Sequence, residues 1–217
     1  IEQYSRFRKP PGASSPGNLP VTSVSWLEAA EFCNWLSSRE KLSKFYDIKN
    51  GKLAGFNKTS NGYRLPSEAE WEWLARKAGR KSRTLFTWGD ELVIPPATGN
   101  IADETAKSTV PIYVPGYNDG YAKLAPVASF KPDKAGLYDM TGNASEWVHD
   151  YYSLVPPAEK AGETDPLGDE HGSNHVIKGS NWRSGTLTEL RASFREGAIS
   201  GRDDTGFRVA RYLHGGQ

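Results

Sequence analysis

The chain has 217 residues, of which only 37% are hydrophobic, yet it carries 7 Trp, 10 Tyr and 8 Phe beside 22 Gly and 14 Pro. Its 27 basic and 26 acidic side chains leave a net charge of +1, which gives no electrostatic footprint for nucleic acid or an anionic membrane. The apolar runs are too short to span a bilayer, so the expectation is one loop-rich domain over residues 1–217, pinned by large rings.

Residues 1–9 (IEQYSRFRK) predict a short helix and are followed by a Pro/Gly/Ser loop. The opening has no apolar signal-peptide core and no initiator Met, so a processed chain or a piece of a longer one is expected. Ser25 and Glu28 form an S-x-x-E capping box, which predicts a helix to about Arg39. Trp26, Ala29, Ala30, Cys33 and Leu36 recur there at helical spacing, so Cys33 reads as a small buried apolar residue. As the one cysteine it can form neither an internal disulfide nor a Cys-rich zinc site.

Asn50-Gly51 within FYDIKNGKLAGF signals a hairpin. Ser67 and Glu70 repeat the capping box, Trp71, Leu74 and Ala75 supply an apolar face, and Gly79 offers a helix stop. No helix is predicted beyond Leu85. FTWGDE, GNIADE, GYNDGY and APVASF read as short strands and loops, and HVIKGSNW, ELRASF and GFRVARYL as strands of a small antiparallel sheet. Residues 156–174 read as an exposed insertion. Helices first and strands afterwards, joined by extensive loops, make an α+β fold.

The stretch GLYDMTGNASEWV, residues 136–148, places Asp139 and Glu146 among glycines and aromatic rings. Calcium takes six to eight oxygens from just such mixtures of carboxylates, amides and turn carbonyls. Asp139 and Glu146 can bracket carbonyls at Gly142 and Ala144, and Asn100 with Asp119 offers a second set. The competing reading has Asp139 and Asn143 making Asx turns while Glu146 pairs with an arginine. His171 and His175 lie in a Gly/Asp-rich loop and read as solvated, and His149 beside Asp150 lacks a nucleophile motif to serve. Arg183, Arg191, Arg195 and Arg208 interleave with Trp182, Phe194 and Phe207. They suit either a polar-ligand platform or ion pairs to Glu68, Glu70 and Glu146.

Taken in order, PVTSVSWLEAAEFCNWLS, GYRLPSEAEWEWLAR, FTWGDE, GLYDMTGNASEWV, VIKGSNW and GFRVAR resemble the formylglycine-generating enzyme (sulfatase-modifying factor) family over residues 20 to 213. The resemblance implies a variant of the C-type lectin fold and two calcium sites. One would use Asn100, the Ile101 carbonyl, Asp119 and the Tyr121 carbonyl. The other would use Asp139, the Gly142 and Ala144 carbonyls, and Glu146. It also implies an extracytoplasmic location.

The family's enzymes act through a copper-binding cysteine pair in the segment before the final GFR, and that segment holds no cysteine here. Ser145 stands where they keep a tryptophan, and the hairpin that usually precedes IEQYSRF is missing. No catalytic residue and no copper are therefore expected. The expected function is a calcium-stabilised binding module whose small-molecule or protein ligand sits near Ser145, Trp182, Arg183 and Arg195. The alternative is a divergent oxidoreductase performing formylglycine generation or related oxygen chemistry.

Overall fold

A computed structural model describes residues 1–11, 17–154, 166–169 and 171–213. Helix α1 spans Glu2–Ser5, shorter than the nine residues expected. Helix α2 (Trp26–Arg39) and helix α3 (Glu68–Arg76) both start from complete capping boxes, Ser25 with Glu28 and Ser67 with Glu70. Strands β1 (Tyr46–Lys49) and β2 (Lys52–Phe56) form the predicted hairpin. Asn50 and Gly51 have φ of 50° and 69°, the pair of left-handed residues that a tight hairpin turn demands.

The second sheet runs β5-β4-β3-β6, with β3 at Ser145–Tyr151, β4 at His175–Lys178, β5 at Arg195–Ala198 and β6 at Thr205–Phe207. Its pairs are antiparallel except β3 with β6, which are parallel. Neighbouring residues on a strand face opposite sides, and here both sides are covered. Trp147 and Ile177 pack with Trp26, Ala29, Ala30 and Cys33 of α2, whereas Val148 and Val176 pack with Trp71 and Ala75 of α3. Six of the seven β3 residues are buried for that reason. Burial pushes the Cys33 thiol up, which makes it an inert core residue.

Several expectations change. ELRASF is not a strand: Thr186 and Glu189 form a third capping box over a one-turn helix α4 (Leu187–Leu190), and β5 begins only at Arg195. Helix α3 stops at Arg76, before Gly79. A Cβ at Gly79 would lie 2.2 Å from the Lys134 carbonyl oxygen, so that glycine serves a close chain crossing. FTWGDE, GNIADE, GYNDGY and APVASF form no strands among the described residues. They are loops joined by single bridges, Phe86 to Gly89 and Asn100 to Gly142. Rings hold them, as when the Tyr117 hydroxyl accepts from the Thr98 and Gly99 amides and donates to the Gly99 carbonyl. The insertion expected at 156–174 lies largely outside the described residues.

Candidate functional site

The two sets of oxygen donors expected to hold cations belong to loops far apart in sequence, and the fold brings those loops into contact. The Asn143 amide donates to the Asn100 carbonyl at 2.6 Å, and Asn100 Nδ2 donates to Asn143 Oδ1 at 3.1 Å. Gly142 has φ of 73°, and a Cβ there would stand 1.9 Å from the Asn100 carbonyl oxygen. Only glycine permits both the conformation and the approach. Asn143 also accepts from the Ala125 amide, donates to the Ala125 carbonyl, and takes the Trp182 amide on its own carbonyl. It ties three loops together, a role that its reading as a local turn residue missed.

Each donor set contains one buried oxygen with no hydrogen-bond partner, Asn100 Oδ1 in the first and Asp139 Oδ1 in the second. Leaving a buried acceptor unsatisfied costs about 1–3 kcal/mol, and a bound cation would satisfy both. In the first set Asp119 accepts the Ile101 amide at 2.9 Å and the Tyr121 amide at 2.8 Å. Burial pushes its carboxyl up to about 6, and the nearby Asp103 adds to that. In the second set Asp139 has φ of 57° and accepts the Ala128 amide, and burial raises its carboxyl too. Among the described residues no three His, Cys, Asp or Glu side chains gather as a metal cluster. A cation here would rest mainly on amide and carbonyl oxygens, which is the chemistry of calcium and not of zinc or copper.

Glu146 is engaged by protein donors. Its carboxylate accepts Arg208 Nε and Nη2, both at 2.6 Å, and Trp71 Nε1 at 2.7 Å. Four lone-pair positions are available to a carboxylate, so one remains for a cation. Tyr138 does not pack the loop onto the core, being 46% exposed, whereas Trp147 does and donates its indole N–H to the Val24 carbonyl.

The arginines divide between the two readings considered for them. Arg195 forms a two-pronged pair with Glu68 and lies over the Tyr152 ring. Arg208 holds Glu146, while Glu70 pairs with Arg64 instead. Arg183 stacks on Trp182 and reaches Asp203 at 2.6 Å. Trp182 itself packs into a core cluster with Ala102, Ala106 and Val110. The small pocket of about 110 Å³ therefore includes Ser145 and Arg183 of the predicted cleft but not Trp182 or Arg195. Its buried polar lining comes from Ser145, Asn181, Ser184 and Asp204, with the Ser145 hydroxyl donating to the Gly179 carbonyl and accepting from Asn181 Nδ2.

Away from the pocket, His171 is exposed, in line with its reading as solvated, whereas His175 departs from that reading. His175 is sandwiched between Trp26, at 3.6 Å between centroids, and Tyr151, at 4.2 Å. His149 is buried among Phe45, Tyr46 and Phe56. Burial drives His149 down to about 3 and His175 to about 4. A neutral buried imidazole contributes stability above the unfolded value near 6.5, and loses it as pH falls, because the unfolded chain takes a proton that the fold refuses. Asp150, raised by burial to about 7, acts in the opposite direction, so the His149 contribution needs a variant to isolate it. Between pH 7 and pH 5 the natural chain should lose about 2 kcal/mol relative to His149→Gln in urea unfolding. Parallel pH curves for the two chains would show that the ring is not held neutral.

With this geometry in place, the relationships of the chain are informative. Residues 2–213 match the sulfatase-modifying factor enzyme 1-like domain. The chain is 32% identical to the formylglycine-generating enzyme of Thermomonospora curvata over 183 residues, covering 82% of this chain and 50% of that protein. It is 28% identical to the inactive C-alpha-formylglycine-generating enzyme 2 of Mus musculus, covering 94% and 54%. It therefore spans about half the length of these relatives. Among solved structures, Treponema denticola variable protein 1 superposes with a TM-score of 0.67 at 26% identity, covering 93% of this chain and 74% of that one. Helices α2 and α3, the small sheets and the long loops are thus a C-type-lectin-like architecture, and the chain belongs to the formylglycine-generating enzyme, or sulfatase-modifying factor, domain family.

Proposed function

We propose that this chain is a calcium-stabilised, non-catalytic member of its family, and that its small polar pocket holds a ligand or a protein partner. The observation that carries this reading is the make-up of the pocket. Its walls come largely from the segment between Asn181 and Asp204, which offers hydroxyl, amide, carboxylate and guanidinium groups but no cysteine. Copper(I) oxygen chemistry needs soft thiolate ligands, and Cys33 is locked in the core of α2. Ser145, at the start of β3, has its hydroxyl bonded to the Gly179 carbonyl. The mouse relative whose name records it as inactive supports a loss of chemistry within this family.

Calcium is assigned to two positions. Asn100, the Ile101 carbonyl, Asp119 and the Tyr121 carbonyl hold one ion. Asp139, the Gly142 and Ala144 carbonyls and the remaining lone pair of Glu146 hold the other. The two orphaned oxygens support both assignments. Few carboxylates per site imply the modest affinity of extracellular modules, with Kd of about 10⁻⁴–10⁻³ M. That affinity suits the extracytoplasmic location proposed for the chain. No helix among the described residues is long and apolar enough to cross a membrane.

The chemistry has a direct test. A peptide carrying a C-x-P-x-R sequence, incubated with the chain, copper(I) and oxygen, is expected to keep its thiol, read by mass spectrometry. Turnover to the aldehyde would establish the alternative, a divergent oxidoreductase.

A further inference from the structure

The charge balance of the pocket goes one step beyond its existence. Three of its lining residues are acidic, Glu189, Glu196 and Asp204. Arg202 serves two of them, with Nη2 on Glu196 Oε2 at 2.8 Å and Nε on Asp204 Oδ1 at 3.1 Å. The other arginine, Arg183, is held by Asp203. Three carboxylates against one unshared guanidinium leave two negative charges. Glu189 uses Oε2 to cap α4, accepting from the Gly185 and Thr186 amides and the Thr186 hydroxyl. Among the described contacts, Glu189 Oε1, Glu196 Oε1 and Asp204 Oδ2 have no partner.

A buried hydroxyl completes the set. Ser184, 5% exposed, accepts the Asn181 amide but has no acceptor for its own proton among the described contacts. The pocket thus presents free carboxylate oxygens for a cation and one free hydroxyl donor for an oxygen. Its volume of about 110 Å³ admits a few heavy atoms, since one water occupies about 30 Å³ of liquid.

We propose that the pocket recognises a primary ammonium group with a carbonyl oxygen beside it, as found at the amino end of a peptide or in a free amino-acid amide. This rests on the pocket being a ligand site, as proposed above. The ammonium would sit among the free oxygens of Glu189, Glu196 and Asp204, and the Ser184 hydroxyl would donate to the adjacent carbonyl. Charge-assisted contacts of this kind are the strong ones in a partly buried site.

The test is an NMR titration of the whole chain with glycinamide, triglycinamide, N-acetylglycinamide and acetate. Glycinamide and triglycinamide should saturate shifts at Ser145, Ser184 and Glu189, and acetylation should weaken binding at least tenfold. Glu196→Gln should weaken it at least threefold, with the melting temperature as the check that this variant is folded. Tighter binding of triglycinamide would assign the source as a peptide, and equal binding as free amides. If acetylated or anionic probes bind equally well, the ammonium assignment is overturned while the ligand pocket stands. If no probe perturbs pocket residues, both are overturned.

Discussion

Replacing Arg208 with methionine is expected to destabilise the domain by about 3 kcal/mol. Glu146 is only 7% exposed, at the first register pair of β3 with β4, opposite Lys178. Its charge is met by the two-pronged Arg208 pair and by Trp71 Nε1 of α3. In the presence of chelator, removing the arginine leaves a buried carboxylate with one indole donor, and breaking a buried pair in this way costs about 3–5 kcal/mol. The guanidinium side chain is 23% exposed, so water can replace part of what is lost and the lower end of that range applies. Glu146→Gln in the same background should recover much of the loss, because a neutral amide no longer demands a counter-charge. Urea midpoints for the three chains check this. A loss below about 1 kcal/mol for Arg208→Met would show that the pair is an ordinary surface contact.

The second large effect is on calcium withdrawal. With free calcium at about a hundred times Kd, each site adds about 2.7 kcal/mol to the folded state. Two sites would then be worth roughly 10–20 °C in melting temperature, at about 2–4 °C per kcal/mol for a domain of this size. Calorimetric scans with calcium and with chelator should separate by that amount. Asp119→Asn should remove about half of the separation, because the second set shares no donor with the first. Identical scans would mean that the orphaned oxygens of Asn100 and Asp139 have no ion to satisfy.

Sequence order revealed some of this molecule and hid the rest for identifiable reasons. Capping boxes are local, so the starts of α2 and α3 were legible to the residue, as was the hairpin through Asn50-Gly51. Helix α4 carries the same T-x-x-E signal at Thr186 and Glu189. It was missed because one turn is too short to show an apolar period. FTWGDE, GNIADE, GYNDGY and APVASF, read as short strands and loops, hold no strand among the described residues, because their order comes from distant partners. The Asn100–Gly142 crossing and the Tyr117 hydroxyl are examples that no spacing rule records. The same holds for the pocket, where Asn181, Ser184 and Glu189 gained a role only once β3 and β6 placed Ser145 and Asp204 against them. Trp182 and Arg195 looked like cleft residues because aromatics beside arginines suit ligands. Each had a stronger offer elsewhere, a core for the ring and Glu68 for the guanidinium.

Counting the ions tests the account most directly. Equilibrium dialysis of the chelator-stripped chain against calcium, read by atomic emission, is expected to reach two equivalents per chain, falling to one in Asp119→Asn. A chain that binds no calcium at millimolar concentrations would contradict it.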